Sequence, residues 1–363
     1  MDRDKGGKIK KEKKHLFNKL NLIIFMLSLG LFLSMILAVT FGAAKLSAYD
    51  VYRIIIYKIF HISIGDIDGL INSTAYDIVW LIRFPRVLLG AIVGMSLAVI
   101  GVVMQATVQN PLADPYILGL SSGASLGATF AILIGFNGIL AGMGITFGAF
   151  MGALISSIVV FLLSNLGGRI TSNKLILSGM IVSSICSSFT SFIIYMVDNA
   201  EKMKSVSFWL MGSLVSASWD NIKVPCIIVL IVIIYFFFQF RVLNTMLLGD
   251  NTGITLGIDI TKYRKIYMII CSLVTGILVS ICGTIGFVGL IIPHIVRMIV
   301  GADHKKLIPI TALVGAIFLI WTDVFSRTIM NNVEIPIGIL TSMLGAPCLM
   351  WLMINKAYKT GGQ

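Results

Sequence analysis

Long apolar runs recur along almost the whole chain, and they constrain its fold more than any other feature. Stretches near 20–43, 87–107, 116–136, 139–164, 175–197, 221–240, 266–286, 307–326 and 336–354 are each long enough for a helix to cross about 30 Å of hydrocarbon. A shorter tenth piece, 293–301, follows the seventh of these. Charged residues make up only 12% of the chain, against roughly 25% in a soluble domain. A bilayer interior offers the backbone no water, so such a chain must satisfy its amides within helices. The expected fold is all-α: a polytopic membrane protein of about ten transmembrane helices. It fills 21–355 as one transmembrane domain, with a basic N-terminal tail at 1–20 and a short C-terminal tail at 356–363.

One apolar stretch cannot be a single continuous helix. In GTIGFVGLIIPHIVR, Gly283, Gly286, Gly289 and Pro293 interrupt the helical pattern. Broken backbone at membrane depth survives only where it is packed inside protein or lines a wet cavity. A second stretch has the same skeleton: Gly94, Gly101, Pro111 and Gly119 stand 182 residues before Gly276, Gly283, Pro293 and Gly301. Matched Gly/Pro interruptions in two halves of a membrane protein predict an inverted internal repeat around a transport path. Glycines every four residues, Gly144/Gly148/Gly152 and Gly90/Gly94, predict close helix crossings.

Charge sets the expected orientation. The basic start, MDRDKGGKIKKEKKHLFNK, precedes an apolar run too long for a signal peptide and without a clear small-residue cleavage site. With ten spans both tails fall on the same side, and the inside segments carry the larger share of Lys and Arg. Both termini are therefore expected in the cytoplasm of a cell whose inner membrane holds the chain. The +12 charge reflects topology and points away from nucleic acid as a partner. Five cysteines in apolar segments, without CxxC spacing, read as small buried hydrophobes. His15, His61, His294 and His304 are scattered and form no metal-ligand cluster.

Four segments hold candidate functional residues. Arg83, Arg86 and Arg327 stand at the outer ends of spans. They either snorkel to headgroups beside Trp80 and pair with Asp323, or offer a docking site for carboxylates. The inner loop Arg241–Lys265 is too polar to span; Leu247, Leu248, Ile254, Leu256 and Ile258 predict two short helices separated near Gly249 and Gly257. That pair, with Asp250, either rests on the membrane or docks in a groove of a cytoplasmic partner. Asn110-Pro111-Leu112-Ala113-Asp114-Pro115 predicts a rigid turn in which Asp114 caps the helix starting near Tyr116. Thr171, Ser172 and Asn173 either cap the fifth span or narrow the inner mouth of a path. His294 and Arg297, three residues apart, satisfy backbone groups or face an inner surface. Residues 198–220, with Phe208 and Trp209, suit a helix at the outer interface, and 44–82 a short surface helix plus turns.

No GxxxxGK[ST] occurs, so the chain cannot by itself bind ATP through a P-loop. No nucleophile–base pair supports an intramembrane hydrolase. The absence of midplane carboxylates counts against an ion-coupled secondary transporter.

PRVLLGAIVGMSLAVIGVVMQATVQNPLADPYILGLSSGAS, LLGDNTGITLGI, GTIGFVGLIIPHIVR and EIPIGILTSMLGAPCLMWL closely resemble the FecCD-type permeases of binding-protein-dependent ABC importers. The resemblance runs from about residue 75 to 355 and omits the basic N-terminal extension. It implies a path for an iron-siderophore, haem or cobalamin-type chelate, formed with a second permease subunit, identical or related. It also implies two cytosolic ATPase subunits that hold ATP and Mg, no cofactor on this chain, and a substrate-binding protein at the outer face. Carried onto this sequence, it makes Arg83, Arg86 and Arg327 the docking arginines. The loop 247–258 becomes the ATPase-coupling segment, and Thr171–Asn173 falls at the inner gate.

Overall fold

In a computed structural model, residues 2–42, 44–134, 144–166, 171–330 and 333–360 are described, and they contain helices and no strand. Among the described residues the apolar helices are, in order, α1 (Asp2–Thr40), α2 (Thr74–Val108), α3 (Leu120–Ile134), α4 (Gly144–Ser164), α5 (Ser172–Tyr195), α6 (Trp219–Phe238), α7 (Ile260–Cys282), α8 (Val288–Val300), α9 (His304–Thr328) and α10 (Ile337–Thr360). Seven are long and apolar enough to cross a bilayer, among them the Leu20–Thr40 part of α1; α3, α8 and α10 carry shorter apolar segments. The expected boundary at 136–139 lies outside the described residues.

The centre of the bundle is α2, almost entirely buried from Pro85 to Val108. It packs against α9, α8, α7 and α6. Its neighbours come close because side chains are missing at the crossings. A Cβ added at Gly94 would strike the Gly315 carbonyl of α9, and one at Gly101 would strike Gly289 of α8. Gly123 and Gly127 of α3 meet Gly148 and Gly152 of α4 in the same way. Membrane helices gain little from the hydrophobic effect against one another, so backbone proximity and packing must hold them.

Two expectations about α2 and α8 need correction. The second span does not begin after Arg86. Its helix starts at Thr74, and Asp77–Arg83 is wound in a wider π-type turn in which the Phe84 amide donates to the Val79 carbonyl. Pro85 has no amide to donate, and this local widening lets the helix pass through it. Pro293 likewise lies inside α8 rather than before it. The actual break is Gly283–Phe287, entered at Gly283 (φ 68°) and left at Phe287 (φ 69°). The matched spacing of the two halves is mirrored at Gly94/Gly276, both inside helices, and at Gly119/Gly301, both at positive φ. It departs at Gly101, which lies within a continuous helix, and at Pro111, which lies in a turn.

Outside the span helices, Ala48–Phe60 and two short turns form the outer segment between α1 and α2, and Ala200–Leu210 lies between α5 and α6. Between α6 and α7 come the two short helices, Phe240–Leu247 and Asp250–Thr255.

Candidate functional site

One candidate site, expected at the outer face and called the outer site, is assembled from three helices. Arg83 and Arg86 of α2 and Arg327 of α9 are 4%, 6% and 5% exposed. None reaches solvent as a free cation. Arg83 donates to the carbonyls of Val39, Thr40 and Ala44. Arg327 donates to those of Ala38 and Phe41 at 2.9 and 3.0 Å. The last carbonyls of α1 have no helical partner, and two guanidinium groups supply the missing donors and favourable charge. Arg86 pairs with Asp323 at 2.8 Å and with Glu334 at 3.0 Å, while Arg327 reaches the other oxygen of Asp323 at 3.2 Å. The predicted Asp323–Arg327 pairing is therefore present, with Arg86 as a third member. Arg86 and Arg327 face two carboxylates, of which Asp323 is buried and Glu334 half-exposed, while Arg83 meets only carbonyls.

A second candidate site, expected at the inner face and called the inner site, lies at the opposite end of α2. Gly249 (φ 96°) and Gly257 (φ 74°) separate and end the two short helices where the sequence placed them. Leu248, Ile254 and Leu256 are 64%, 70% and 59% exposed, Leu247 is less so, and Ile258 is half-buried. This apolar edge is presented by a loop too polar to cross the membrane. Beneath it, Arg264 of α7 is 1% exposed. Its guanidinium grips both oxygens of Asp250 (2.9 and 3.2 Å) and donates from Nε to the Thr107 carbonyl of α2 at 3.0 Å. Gln109 donates to Asp250 at 2.8 Å and to the Met246 carbonyl at 3.1 Å. The Arg264 hydrogen bonds, helped by its charge and by Gln109, hold the Asp250 carboxyl below its usual range against partial desolvation. Asn244 fastens the first short helix to α9, donating to Asp303 at 2.9 Å and accepting from the His304 amide at 2.9 Å.

Between the two ends, the break at Gly283–Phe287 is knitted into its surroundings. The Tyr116 hydroxyl donates to the Ile285 carbonyl (3.1 Å) and accepts from the Ile285 amide (3.2 Å). Thr284 donates to Leu210, the Ser213 amide donates to Cys282, and the amides of Ile337 and Gly338 donate to Gly212 and Met211. A cavity of about 490 Å³ opens beside it, lined by Tyr116, Ser121, Thr284, Gly286, Ser342 and Met343 among others. The break is thus both packed inside protein and open to a cavity.

The remaining predicted residues hold local structure. Asn110 and Pro111 form the tight turn after α2, with the Leu112 amide donating to Asn110 Oδ1 at 2.9 Å. Asp114 caps the short turn Pro115–Leu118 by accepting from the Tyr116 amide at 2.8 Å, and burial pushes its carboxyl up to about 6. Arg297 donates to Gln105 of α2 at 2.8 Å, and His294 lies one turn earlier on α8. Thr171 caps α5, accepting from the Lys174 amide at 3.4 Å, with Ser172 and Asn173 in its first turn; Thr171 and Asn173 are exposed. The sequence did not point to Arg264, Gln109, Asn244 or Glu334. Arg264 stands in the basic run TKYRK, and its partners lie 14 and 157 residues away.

These helices, the packed backbone break and the clamped pair of loop helices together make a multi-pass α-helical membrane domain. The chain belongs to the FecCD transport family, whose family model matches residues 30–355. It is 38% identical to the cobalamin import system permease protein of Halobacterium salinarum over 79% of this chain and 76% of that one. It is 37% identical to the hemin transport system permease protein of Yersinia pestis over 80% and 88%. A solved structure of an inward-facing chain, assigned to the metal-chelate type of ABC transporter, superposes with a TM-score of 0.78 at 32% identity, covering 93% of this chain and 99% of that one.

Proposed function

We propose that this chain is the permease subunit of a binding-protein-dependent ABC importer and forms a path for a bulky metal chelate of the iron-siderophore, haem or cobalamin kind. Family membership and the haem and cobalamin relatives support the cargo class. ATP and Mg are held by two separate cytosolic subunits, and a second permease subunit, identical or related, completes the path. Both termini lie in the cytoplasm. The domain proper spans 21–355, flanked by the tails 1–20 and 356–363.

The observation that carries this reading is the loop between α6 and α7. Three strongly exposed apolar side chains, Leu248, Ile254 and Leu256, stand on helices held rigidly from below. Such an edge suits a groove on an ATPase, and its coupling residues are Leu247, Leu248, Gly249, Asp250, Leu256, Gly257 and Ile258. At the opposite end, the cluster of Arg83, Arg86 and Arg327 serves docking of an acidic substrate-binding protein. An arriving carboxylate finds its opening at Arg86, whose partner Glu334 is half-exposed. Thr171, Ser172 and Asn173 narrow the inner mouth. Each conformational bias comes from partners that bind one state more tightly than the other.

Replacing Leu248 and Ile254 by Asp is expected to abolish co-purification of the ATPase while the permease still elutes as a folded species. Undiminished co-purification defeats the assignment of the loop.

A further inference from the structure

The coupling loop is not hinged freely on the bundle. Three of its residues fix it: Asp250, Met246 and Asn244 on the loop side meet Arg264, Gln109 and the Asp303–His304 turn on the bundle side. The most demanding of these groups is Arg264. A guanidinium that is 1% exposed must have its donors occupied, because an unpaired buried charge is costly. Here the fork is spent on one carboxylate in bidentate geometry, and Nε is spent on the last turn of α2. One side chain rooted in α7 therefore binds the first residue of the second loop helix to the end of α2.

What lies beyond α2 gives this clamp a consequence. The helix runs without a break from Thr74 to Val108, about 50 Å at helical rise. It is locked to α9 where Gly94 and Gly315 bring the two backbones together. The same two helices carry Arg86 and Asp323 at their outer ends. The loop anchors are Thr107 and Gln109 at the inner end of α2 and Asp303–His304 at the inner end of α9. Close-packed elements of this kind transmit a displacement rather than absorb it.

We propose that Arg264 is a positioning residue for coupling, making the loop 240–258 and the α2–α9 pair move as one body when the ATPase changes state. This rests on the reading of the loop as the ATPase contact. Arg264 touches neither nucleotide nor cargo; it acts through Asp250. Without the clamp, a push on Leu248 and Ile254 would be spent bending the loop at Gly249, where an added Cβ would meet nothing.

The test is a spin-label distance measurement on the permease–ATPase complex. Labels sit at Thr255→Cys in the loop and Leu81→Cys on the outer part of α2, with the half-buried Cys226 and Cys348 changed to Ser. With ATP and Mg added, the wild-type separation is expected to change by less than about 2 Å, the scale of small packed-helix shifts. Arg264→Lys keeps the charge but loses the fork, and Asp250→Asn keeps the shape but loses the charge. Arg264→Lys, which alters no residue of the ATPase-contacting edge, is expected to keep the ATPase attached, and in the complexes of both variants the separation is expected to shift or broaden by more than about 4 Å, approaching one helical turn. The double variant is expected to be no worse than the poorer single one, because the pair acts as one unit. Wild-type behaviour in Asp250→Asn overturns the proposal even if Arg264→Lys fails to fold, and so does a wild-type loop that already moves against α2. If the Leu248→Asp, Ile254→Asp variant keeps its ATPase, the loop reading itself fails, which the label distances do not decide.

Discussion

Two buried arginine sites stand at opposite ends of α2, and they are built differently. At the outer end, Arg83 and Arg327 hold carbonyls at the end of α1, Arg86 and Arg327 share the carboxylate of Asp323, and Asp323 is 1% exposed. At the inner end a single guanidinium holds a single carboxylate, and the Asp250 side chain is 50% exposed. The outer site closes one helix end onto two others and leaves little to move. The inner site grips a loop whose other face is bare and apolar. The difference teaches where each site can respond: the outer one through its half-exposed member Glu334, the inner one through everything attached to Asp250.

The largest effect separates the two sites by stability. Asp323→Ala leaves Arg86 and Arg327 buried without their shared carboxylate, and breaking such a group by removing one partner costs about 3–5 kcal/mol. Asp250→Ala orphans one buried guanidinium rather than two and leaves its Thr107 acceptor in place, so a smaller loss of about 1–3 kcal/mol is expected. Thermal melts of the detergent-purified chain check this. Equal losses at the two positions would erase the distinction.

Residue types at both ends were legible in the sequence, but their burial was not. Hydropathy ended the second span at residue 87, because Arg83 and Arg86 look like a boundary; the helix in fact runs past them. The acceptors of Arg83 are carbonyls of α1 some 40 residues away, and carbonyls carry no sequence signature; those of Arg86 are carboxylates 237 and 248 residues away. The two short loop helices were readable because Gly249 and Gly257 take positive φ, which glycine adopts at low cost. Arg264 was not, since nothing local marks a lysine or arginine in TKYRK as the one that turns inward. The glycine skeleton predicted a break in GTIGFVGLIIPHIVR correctly but placed it too far along. Gly289 is needed for the approach of Gly101 and Pro115 rather than for a turn, and Pro293 is tolerated inside α8.

A second prediction concerns the turn beyond the inner end of α2. Burial raises the Asp114 carboxyl to about 6, partly offset by the hydrogen bond from the Tyr116 amide. A carboxyl raised in the folded state favours folding while protonated. Its contribution is full below the ordinary value near 4 and is lost as pH rises from there to about 6. Asp114→Asn keeps an oxygen for the Tyr116 amide without the charge. It is expected to stabilise the chain above pH 6 by on the order of 2 kcal/mol and to leave it unchanged near pH 4. Melts at the two pH values that shift by the same amount would sink this.

The smallest expected effect on stability falls at Glu334, and it bears most directly on docking. Charge reversal at Arg83, Arg86 or Arg327 would also strip the cap of α1 or orphan Asp323, so lost docking and lost folding would arrive together. Glu334→Gln avoids this. It keeps an acceptor for Arg86, leaves Asp323 in place, and should cost less than about 1 kcal/mol because the pair is half-exposed. Removing one negative charge leaves the outer cluster with a larger positive excess. An acidic substrate-binding protein should then associate severalfold faster at low salt, and the gain should fade as added salt screens it. Association kinetics at two ionic strengths read this out. A slower or salt-independent response would mean that docking does not run through carboxylates at Arg86, and the outer arginines would be left with the structural task of closing α1 onto α2 and α9.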